Sequence, residues 1–237
     1  MIRINLISGP RNISTALMYS FAQRSDTTVL DEPFYAFYLH ESGVYHPGKE
    51  DVLKAQPLDY EEVYATLYQE WEKPVLFIKN MAHHLELMDE ALLAGLTNVF
   101  LIRNPRQIIA SYAQVIEAPT LRDIGIEYQA SLFKRLKANG QDPVVLDSAE
   151  VVAHPTAILS QLCRRVGLPF EEAMLQWPAG PKSYDGVWAP HWYANVHRST
   201  GFEQQTTSSR PLPRSLESLN DTAQRYYEML LPFSLQP

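Results

Sequence analysis

The sequence is poor in cysteine and has no long apolar run. Its 237 residues include a single cysteine, Cys163, so the chain cannot form an internal disulfide. Because small secreted domains usually depend on disulfides, we expect a reducing, cytoplasmic location, with Cys163 as a small buried hydrophobic residue. No stretch approaches the roughly 20 apolar residues that a membrane-spanning helix needs. The apolar run at the N-terminus is also too short for a secretory signal.

Positive charge is scarce as well. The sequence has 20 lysines and arginines against 27 aspartates and glutamates, which gives a formal net charge of -7. Such a chain repels nucleic acid and anionic membranes as a whole, so we expect neither as a partner. A few residues can still form a basic pocket for a small anion. The hydrophobic fraction of 46% is sufficient for a sizeable core and excludes a disordered chain.

Five short β-type runs alternate with longer helical patterns, and this alternation is typical of parallel α/β sheets. The predicted strands are residues 2–7, 27–30, 74–79, 98–102 and 143–146. The predicted helices are residues 15–24, 60–72, 85–93, 121–138, 155–166 and 216–230, with one more beginning at Pro105. We therefore predict one three-layer α/β domain over residues 1–237, with a central parallel sheet of about five strands and helices on both faces. Residues 39–58 and 178–213 break the pattern, and we expect an excursion or lid and a functional loop.

The loop after the first predicted strand has the features of an anion site. Residues 8–15 are Ser-Gly-Pro-Arg-Asn-Ile-Ser-Thr and lead directly into a helix. The N–H groups and macrodipole of a helix start attract anions. Arg11 adds a guanidinium, and Ser14 and Thr15 add hydroxyls. The loop lacks the Gly-Lys-Ser/Thr of ATPases, so ATP hydrolysis is disfavoured; an ordinary helix start without a ligand is the alternative.

Charged residues also follow the next three strands. They are Asp31 and Glu32 after the second, Lys79, His83 and His84 after the third, and Arg103 after the fourth. The carboxyl ends of parallel strands meet at one edge of the sheet, where ligands of open α/β sheets bind. We therefore expect these side chains to face a common cleft.

A second anion-binding motif begins at Arg103. Asn104 and Pro105 predict a helix start directly after it, and Ser111 lies eight residues beyond Arg103 in that helix. A guanidinium at the strand end and a hydroxyl two turns into the helix can hold one phosphate from two sides. A surface ion pair beside a buried serine is the alternative interpretation.

Together, the two motifs resemble those of the P-loop-like sulfotransferase superfamily. The resemblance implies that the first loop binds the 5′-phosphosulfate of 3′-phosphoadenosine 5′-phosphosulfate, and that Arg103 and Ser111 bind its 3′-phosphate. The residues of the first site would be Arg11, Asn12, Ile13, Ser14 and Thr15. Gly-Leu-Pro at 167–169 also matches many members. Residues 31–34, 188–193 and 199–202 look like a bacterial branch with relatives fused to aminotransferase-like proteins.

The sequence departs from the family pattern at three positions. Many members have lysine in place of Arg11 and glycine in place of Ile13. A guanidinium cannot donate a proton at neutral pH, and isoleucine restricts the backbone where glycine gives freedom. Arg198, in the late loop, loosely matches a basic motif that binds the 3′-phosphate in the family. These departures affect catalysis more than cofactor binding.

Sulfuryl transfer needs a base for the acceptor and cations for the transferred group. Glu32 is the predicted base, since family members with a carboxylate base take it from this region, and Asp31 is its structural partner. His83 is the competing base, because an unperturbed imidazole pKa near 6.5 suits neutral pH. Arg11 is the predicted catalytic cation, and Lys79 either holds the sulfonate or orders a carboxylate. In the structural alternative, Asp31 and Glu32 only cap the strand and pair with Arg11 or Lys79.

Aromatic residues concentrate in the two irregular segments. They are Phe34, Tyr35, Phe37, Tyr38, Trp188, Trp192 and Tyr193. We predict that they line the pocket of a small acceptor with an apolar or aromatic body, and core packing is the alternative. We expect no metal, because a sulfuryl group carries less negative charge than a phosphoryl group and the seven histidines show no zinc-type spacing.

Two other functions remain open. A magnesium-dependent phosphoryl transferase would use the same first loop. A non-catalytic nucleotide-binding module would keep the pocket without turnover, and the departures at Arg11 and Ile13 favour it. The sequence predicts neither the acceptor nor the oligomeric state.

Overall fold

The first strand of the computed structural model lies at the centre of a parallel sheet with the order β2-β3-β1-β4-β5. The strands are β1 (Ile2–Ser8), β2 (Thr27–Asp31), β3 (Val75–Met81), β4 (Thr97–Ile102) and β5 (Val144–Asp147). The structure describes residues 1–202 and 211–237. All five predicted strands are present to within two residues at each end, so the predicted sheet is confirmed.

Helices cover both faces of this sheet. They are α1 (Ser14–Ala22), α2 (Tyr35–Ser42), α3 (Lys49–Ala55), α4 (Tyr60–Tyr68), α5 (Pro105–Tyr112), α6 (Leu121–Ile124), α7 (Ile126–Ala138), α8 (Ser148–Ala153), α9 (Pro155–Arg165), α10 (Ala189–Trp192) and α11 (Glu217–Leu230). None of the helices in the described ranges is both long and apolar enough to span a bilayer.

Side chains alternate between the two faces along each strand, and each face has its own core. On one face α1 and α9 contribute Leu17 and Leu159 to a cluster with Ile4 and Leu6 of β1. On the other face α4, α5, α7 and α11 pack against Ile7 and the alternate residues of β3, β4 and β5. Burial of both faces explains the nearly continuous apolar strands, which are typical of parallel sheets. The predicted three-layer α/β fold is therefore confirmed.

A third, smaller apolar cluster lies at the carboxyl end of the sheet. It joins α2 and α3 to the segment that contains α10, through Tyr35, Tyr38, Val52, Trp188 and Tyr193. The two segments that break the strand–helix pattern thus pack on each other, and the predicted excursion over residues 39–58 carries the second half of α2 and all of α3. The prediction of a loop over 178–213 is tested only in part, since residues 203–210 lie outside the described residues.

The predicted helix over residues 85–93 is wrong. The structure has two short 3-10 helices there, Ala82–Leu85 and Glu90–Leu93. Asp89 has an extended backbone, and its side chain accepts a hydrogen bond from the N–H of Ala91. This local cap starts a new turn, so the apolar periodicity on either side does not form one continuous helix.

The predicted helix over residues 121–138 is divided at Gly125. This glycine has φ of 74°, a left-handed conformation that ends α6 and precedes α7. The break turns the carbonyl of Ile124 toward the loop after β1, where a Cβ added to Gly9 would lie 2.5 Å from the Ile124 oxygen. The end of α6 and the predicted anion loop are therefore in close backbone contact.

Substitution of Gly9 by alanine tests this contact. The added methyl would overlap a backbone oxygen that cannot rotate away, so we expect Gly9→Ala to lower the free energy of unfolding by about 1–3 kcal/mol. Urea denaturation measures the change. A Gly9→Ala protein as stable as the parent would contradict the close approach of Gly9 and Ile124.

Candidate active site

A cavity of about 760 Å³ opens at the carboxyl edge of the sheet. Its walls come from the loop after β1, the ends of β2, β3 and β4, the start of α2 and the segment around α10. The lining includes Arg11, Asn12, Ile13, Ser14, Thr15, Glu32, Lys79, His83, Arg103 and Arg198. The structure thus brings the predicted site residues to one cleft, with Ser111 attached to it through Arg11.

The two predicted anion motifs are in direct contact. The Nε of Arg11 donates to the Oγ of Ser111 at 3.0 Å, and the Nη1 of Arg103 donates to the carbonyl of Arg11 at 2.8 Å. Burial and the nearby charge of Arg11 lower the pKa of Arg103. Two neighbouring guanidinium groups repel each other, so an anion bound between them would stabilise both.

The start of α1 is open to a ligand. Its N-cap residue is Ile13, which has no side-chain oxygen to accept from the N–H groups of the first turn. Asn12 braces the loop, since its amide donates to the carbonyl of Leu101 and accepts from the N–H of Ile13. Ser14 and Thr15 are buried and line the cavity. This combination is suited to an anionic oxygen at the helix N-terminus.

Ile13 does not strain the loop. Its φ is -89°, which isoleucine adopts readily. The backbone at this position therefore does not need the glycine that many sulfotransferases have in place of Ile13. The left-handed position is Arg11 instead, with φ of 53°.

Two non-glycine residues in the described ranges have a left-handed backbone, Arg11 and Glu32, the latter with φ of 43°. Such conformations are costly and persist where surrounding contacts hold them, commonly at functional sites. Arg103 holds the carbonyl of Arg11, while the amide of Gln56 donates to the carbonyl of Glu32 at 3.1 Å. The strained pair coincides with two of the predicted catalytic residues.

Lys79 lies between two carboxylates at the end of β3. Its Nζ donates to Oδ1 of Asp31 at 2.8 Å, to Oε1 of Glu32 at 2.5 Å and to the hydroxyl of Tyr193 at 2.6 Å. Lys79 is fully buried, and both carboxylates are nearly so. The sequence predicted that Lys79 either holds the sulfonate or orders a carboxylate. These contacts correspond to the second role.

Tyr193 connects this cluster to the segment around α10. Its hydroxyl donates to Asp31 and accepts a hydrogen bond from the indole N–H of Trp188 at 3.1 Å. The backbone N–H of Gly186 also donates to Asp31, at 3.0 Å. Asp31 thus fastens residues 186–193 to the sheet edge and is the structural partner that the sequence predicts.

Burial dominates the electrostatics of the base candidates. Desolvation raises the pKa of Glu32, with the charge of Asp31 adding to it and Lys79 opposing it. Burial alone would lower the pKa of Lys79, but the charges of Asp31 and Glu32 outweigh it and raise that pKa. A carboxylate with raised proton affinity next to a permanent cation is well suited to accept a proton.

The adjacent histidines are uncharged. Burial lowers the pKa of His83 to about 3 and holds that of His84 well below its usual value. His84 stacks on Tyr35, with ring centroids 4.5 Å apart, and its Nδ1 lies 3.8 Å from Glu32. His83 lies in the cavity wall as expected, but its low pKa makes it a weaker base than the sequence alone suggests.

The predicted aromatic pocket is formed only in part. Tyr35, Trp188, Trp192 and Tyr193 line the cavity, whereas Phe34, Phe37 and Tyr38 are not in its lining. Phe34 and Phe37 belong to the sheet core, and Tyr38 belongs to the smaller apolar cluster. Arg198 is exposed at the cavity, where it donates to the side chain of Asn195.

The sequence analysis missed several residues of the cavity lining, including the rings of His46 and Tyr112. Tyr112 directly follows Ser111 in the sequence. The predicted role of Ser111 could therefore have indicated that Tyr112 lies near the site. His46 comes from the segment between α2 and α3, and its Nδ1 pairs with the hydroxyl of Tyr35 at 2.8 Å. No local signal predicts that contact, because it depends on how the excursion folds back.

The fold and the cavity define a parallel α/β protein with an uncapped helix start after its first strand and a cavity at the strand carboxyl ends. A family model described as a sulfotransferase domain matches residues 2–231. The chain therefore belongs to the sulfotransferase domain family, as the two sequence motifs predicted.

Two curated relatives come from Arabidopsis thaliana. They are branched-chain-amino-acid aminotransferase-like protein 1, 36% identical over 225 residues, and protein 2, 38% identical over 213 residues. The alignments cover 94% and 89% of this chain, but only 40% and 38% of the two relatives. The chain thus spans about two fifths of the length of these relatives.

Two solved structures have the same fold. The sulfotransferase domain of the Synechococcus PCC 7002 olefin synthase has a TM-score of 0.65 and 18% identity, covering 98% of this chain and 95% of that one. The sulfotransferase domain from the curacin biosynthetic pathway has a TM-score of 0.57 and 18% identity, covering 100% and 99%. At this identity the likeness supports the fold alone.

Substitution of Lys79 by methionine tests the buried cluster. Loss of one partner leaves a buried charge without compensation, so we expect a loss of about 3–5 kcal/mol in the free energy of unfolding. The pKa of Glu32, already raised by burial, would rise further. A carboxyl group with a folded pKa above its unfolded pKa costs stability once the pH exceeds the unfolded value.

The deficit of Lys79→Met should therefore be largest at neutral pH and should shrink as the pH falls through the carboxyl range. Urea denaturation at several pH values measures it. Lys73→Met, at a half-buried lysine that donates to the carbonyl of Thr27, is the matched control and should change stability little. A pH-independent deficit would contradict the role of Lys79 as the counterion.

Proposed function

We propose that the protein transfers a sulfuryl group from 3′-phosphoadenosine 5′-phosphosulfate to a hydroxyl or amine of a small acceptor. The observation that carries the proposal is the joining of two anion-binding motifs, Arg11 to Ser111 and Arg103 to Arg11, in one cavity with the Glu32 carboxylate. Membership in the sulfotransferase domain family supports the same conclusion.

The residues present fit a nucleotide with two separate anionic groups, a sulfated phosphate and a 3′-phosphate. The first turn of α1 has no side-chain cap from Ile13, and the charge of Arg11 is close enough to lower the pKa of Arg103. We assign the loop 11–15 to the sulfated phosphate, and Arg103 and Ser111 to the 3′-phosphate. Arg198 would add a third cation from the rim. The nucleotide supplies the activated sulfuryl group and the bisphosphate that leaves.

In this proposal, the oxygen or nitrogen of the acceptor bonds to sulfur while the bond between sulfur and the leaving bisphosphate breaks. Glu32 takes the proton that the acceptor hydroxyl or amine loses. Lys79 and Tyr193 hold Glu32 in place, and Lys79 compensates its charge before the proton arrives. Arg11 brings a permanent positive charge next to the oxygens of the transferred group. Its guanidinium stabilises them by charge and does not donate a proton. The proposed reaction uses no metal ion.

Nucleotide titration followed by thermal unfolding tests the binding half of the proposal. A ligand at 100 times its Kd adds about 2.7 kcal/mol to stability. We expect a clear shift with adenosine 3′,5′-bisphosphate and little with AMP, because Arg103 and Ser111 bind the 3′-phosphate. Equal shifts with both nucleotides would contradict the assignment. A shift only with ATP and magnesium would favour the phosphoryl-transfer alternative.

Arg103→Ala should abolish the preference for the bisphosphate over AMP while the protein still folds. The exposed Arg106, three residues further along, is a matched control, because it also lies near the start of α5 but does not line the cavity. Arg106→Ala should keep the preference. An unchanged preference in Arg103→Ala would remove this residue from the proposed 3′-phosphate site.

Glu32→Gln tests the base. We expect loss of turnover with bisphosphate binding retained, since the amide keeps the shape but cannot accept the proton. Release of adenosine 3′,5′-bisphosphate from the sulfated donor, in the presence of hydroxyl and amine acceptors, measures turnover. Glu86→Gln is the control, because Glu86 pairs with Arg122 away from this cavity. Turnover retained in Glu32→Gln would move the base to His83.

In the parent protein, turnover should decline in acid as Glu32 becomes protonated. Because burial raises the pKa of Glu32, this decline should begin at a higher pH than an ordinary glutamate gives. A pH profile of kcat/KM, measured with the parent protein, provides the check. A protein that binds the bisphosphate at every pH but never turns over would support the non-catalytic alternative.

A further inference from the structure

Five rings of the cavity lining are connected by ring contacts. This aromatic wall consists of Tyr35, His46, Tyr112, Trp188 and Trp192. Ring contacts connect its members in sequence: Tyr112 stacks with Trp192 at 6.3 Å, Trp192 meets His46 at 6.5 Å, and Tyr35 meets His46 at 5.8 Å and Trp188 at 5.2 Å. These distances join ring centroids.

The aromatic wall runs from the anion motifs to the base candidate. At one end Tyr112 follows Ser111, whose hydroxyl accepts from Arg11. At the other end the indole of Trp188 donates to the Tyr193 hydroxyl, which Lys79 links to Glu32. A molecule lying on the wall would therefore have the Glu32 carboxylate at one side and the nucleotide site at the other.

The buried cation at the Trp188 end of this wall is already saturated. An ammonium group has three N–H donors, and those of Lys79 go to Asp31, Glu32 and Tyr193. No donor of Lys79 is left for a carboxylate on a ligand. The cluster as a whole has one positive and two negative charges, so it repels a further anion.

The imidazoles of the region do not supply positive charge either. Burial lowers the pKa of His46 and His83, the latter to about 3, and holds that of His84 well below its usual value. All three rings are therefore neutral at neutral pH and act as apolar or hydrogen-bonding surfaces. Among the described residues, Arg11, Arg103 and Arg198 are the cations of the cavity lining that remain, and the proposed function assigns all three to the nucleotide.

We infer that the aromatic wall is the acceptor subsite, and that it takes an uncharged molecule with a planar ring and rejects one that carries a carboxylate. Planar rings gain stacking contacts with Trp192 and Tyr112, whereas a buried carboxylate would have no cation to pair with. This inference rests on the proposed function only in assigning the guanidinium groups to the nucleotide. It adds the charge and shape that the acceptor must have.

The test uses two molecules of nearly the same shape, the neutral 4-(hydroxymethyl)benzamide and the anionic 4-(hydroxymethyl)benzoate. Calorimetry measures their binding to the full chain saturated with adenosine 3′,5′-bisphosphate, which occupies the guanidinium groups. We expect the benzoate to bind at least about tenfold more weakly than the amide. Equal affinities, or tighter binding of the benzoate, would overturn the inference.

Variants of the aromatic wall provide the second readout. Trp192→Ala should weaken binding of the amide by about tenfold, and Trp192→Phe should restore most of it, because a ring is kept. Trp71→Phe, at a half-buried tryptophan outside the cavity, is the control and should change nothing. Unchanged amide binding in Trp192→Ala would overturn the assignment of the wall.

The two proposals fail in different ways. If the bisphosphate does not bind, the proposed function fails, and the amide and the Trp192 variants are then measured on the free chain to test the wall. If the bisphosphate binds and the amide does not, the inference about the acceptor subsite fails while the nucleotide site stands.

Discussion

The buried ammonium of Lys79 is the contact on which the site depends. Removing an ammonium and two carboxylates from water is costly, and the cluster persists because all three donors of Lys79 have acceptors. One of those acceptors, Glu32, is the proposed base. Another, Asp31, also binds Tyr193 and the backbone of Gly186. The same cation therefore orients the base and helps to fix the segment that supplies two of the five rings of the aromatic wall.

Backbone strain marks the same region. Arg11 and Glu32 both have left-handed conformations that cost free energy in any residue with a Cβ. Each is held by a side chain from elsewhere in the chain, Arg103 for Arg11 and Gln56 for Glu32. Arg11 and Glu32 enter one cavity from the ends of β1 and β2, which lie on either side of β3. Stability elsewhere, in the two buried faces of the sheet, offsets this local cost.

Several predictions from the sequence were confirmed because they depend on local pattern. The strands are buried on both faces and are recognisable as short apolar runs, and Asn104 with Pro105 does begin α5. The predicted helix over 85–93 failed because Asp89 caps a separate turn, and the helix over 121–138 is divided where Gly125 is left-handed. The sequence analysis expected Ile13 to restrict the backbone of the loop. It does not strain the loop, because the left-handed residue there is Arg11. The roles assigned to Glu32 and Arg11 stay predictions.

The sequence by itself determined the five strands and placed two basic motifs at strand ends, because short apolar runs and the residues that follow them are local features. The tertiary structure decided the chemistry between them. Tyr193 reaches Lys79 across 114 positions of sequence, and no local pattern encodes such a contact. The residue types of His83 and Glu32 do not by themselves set the pKa values of their side chains. Burial and neighbouring charges shift the pKa values of both groups, and these surroundings exist only once the chain has packed.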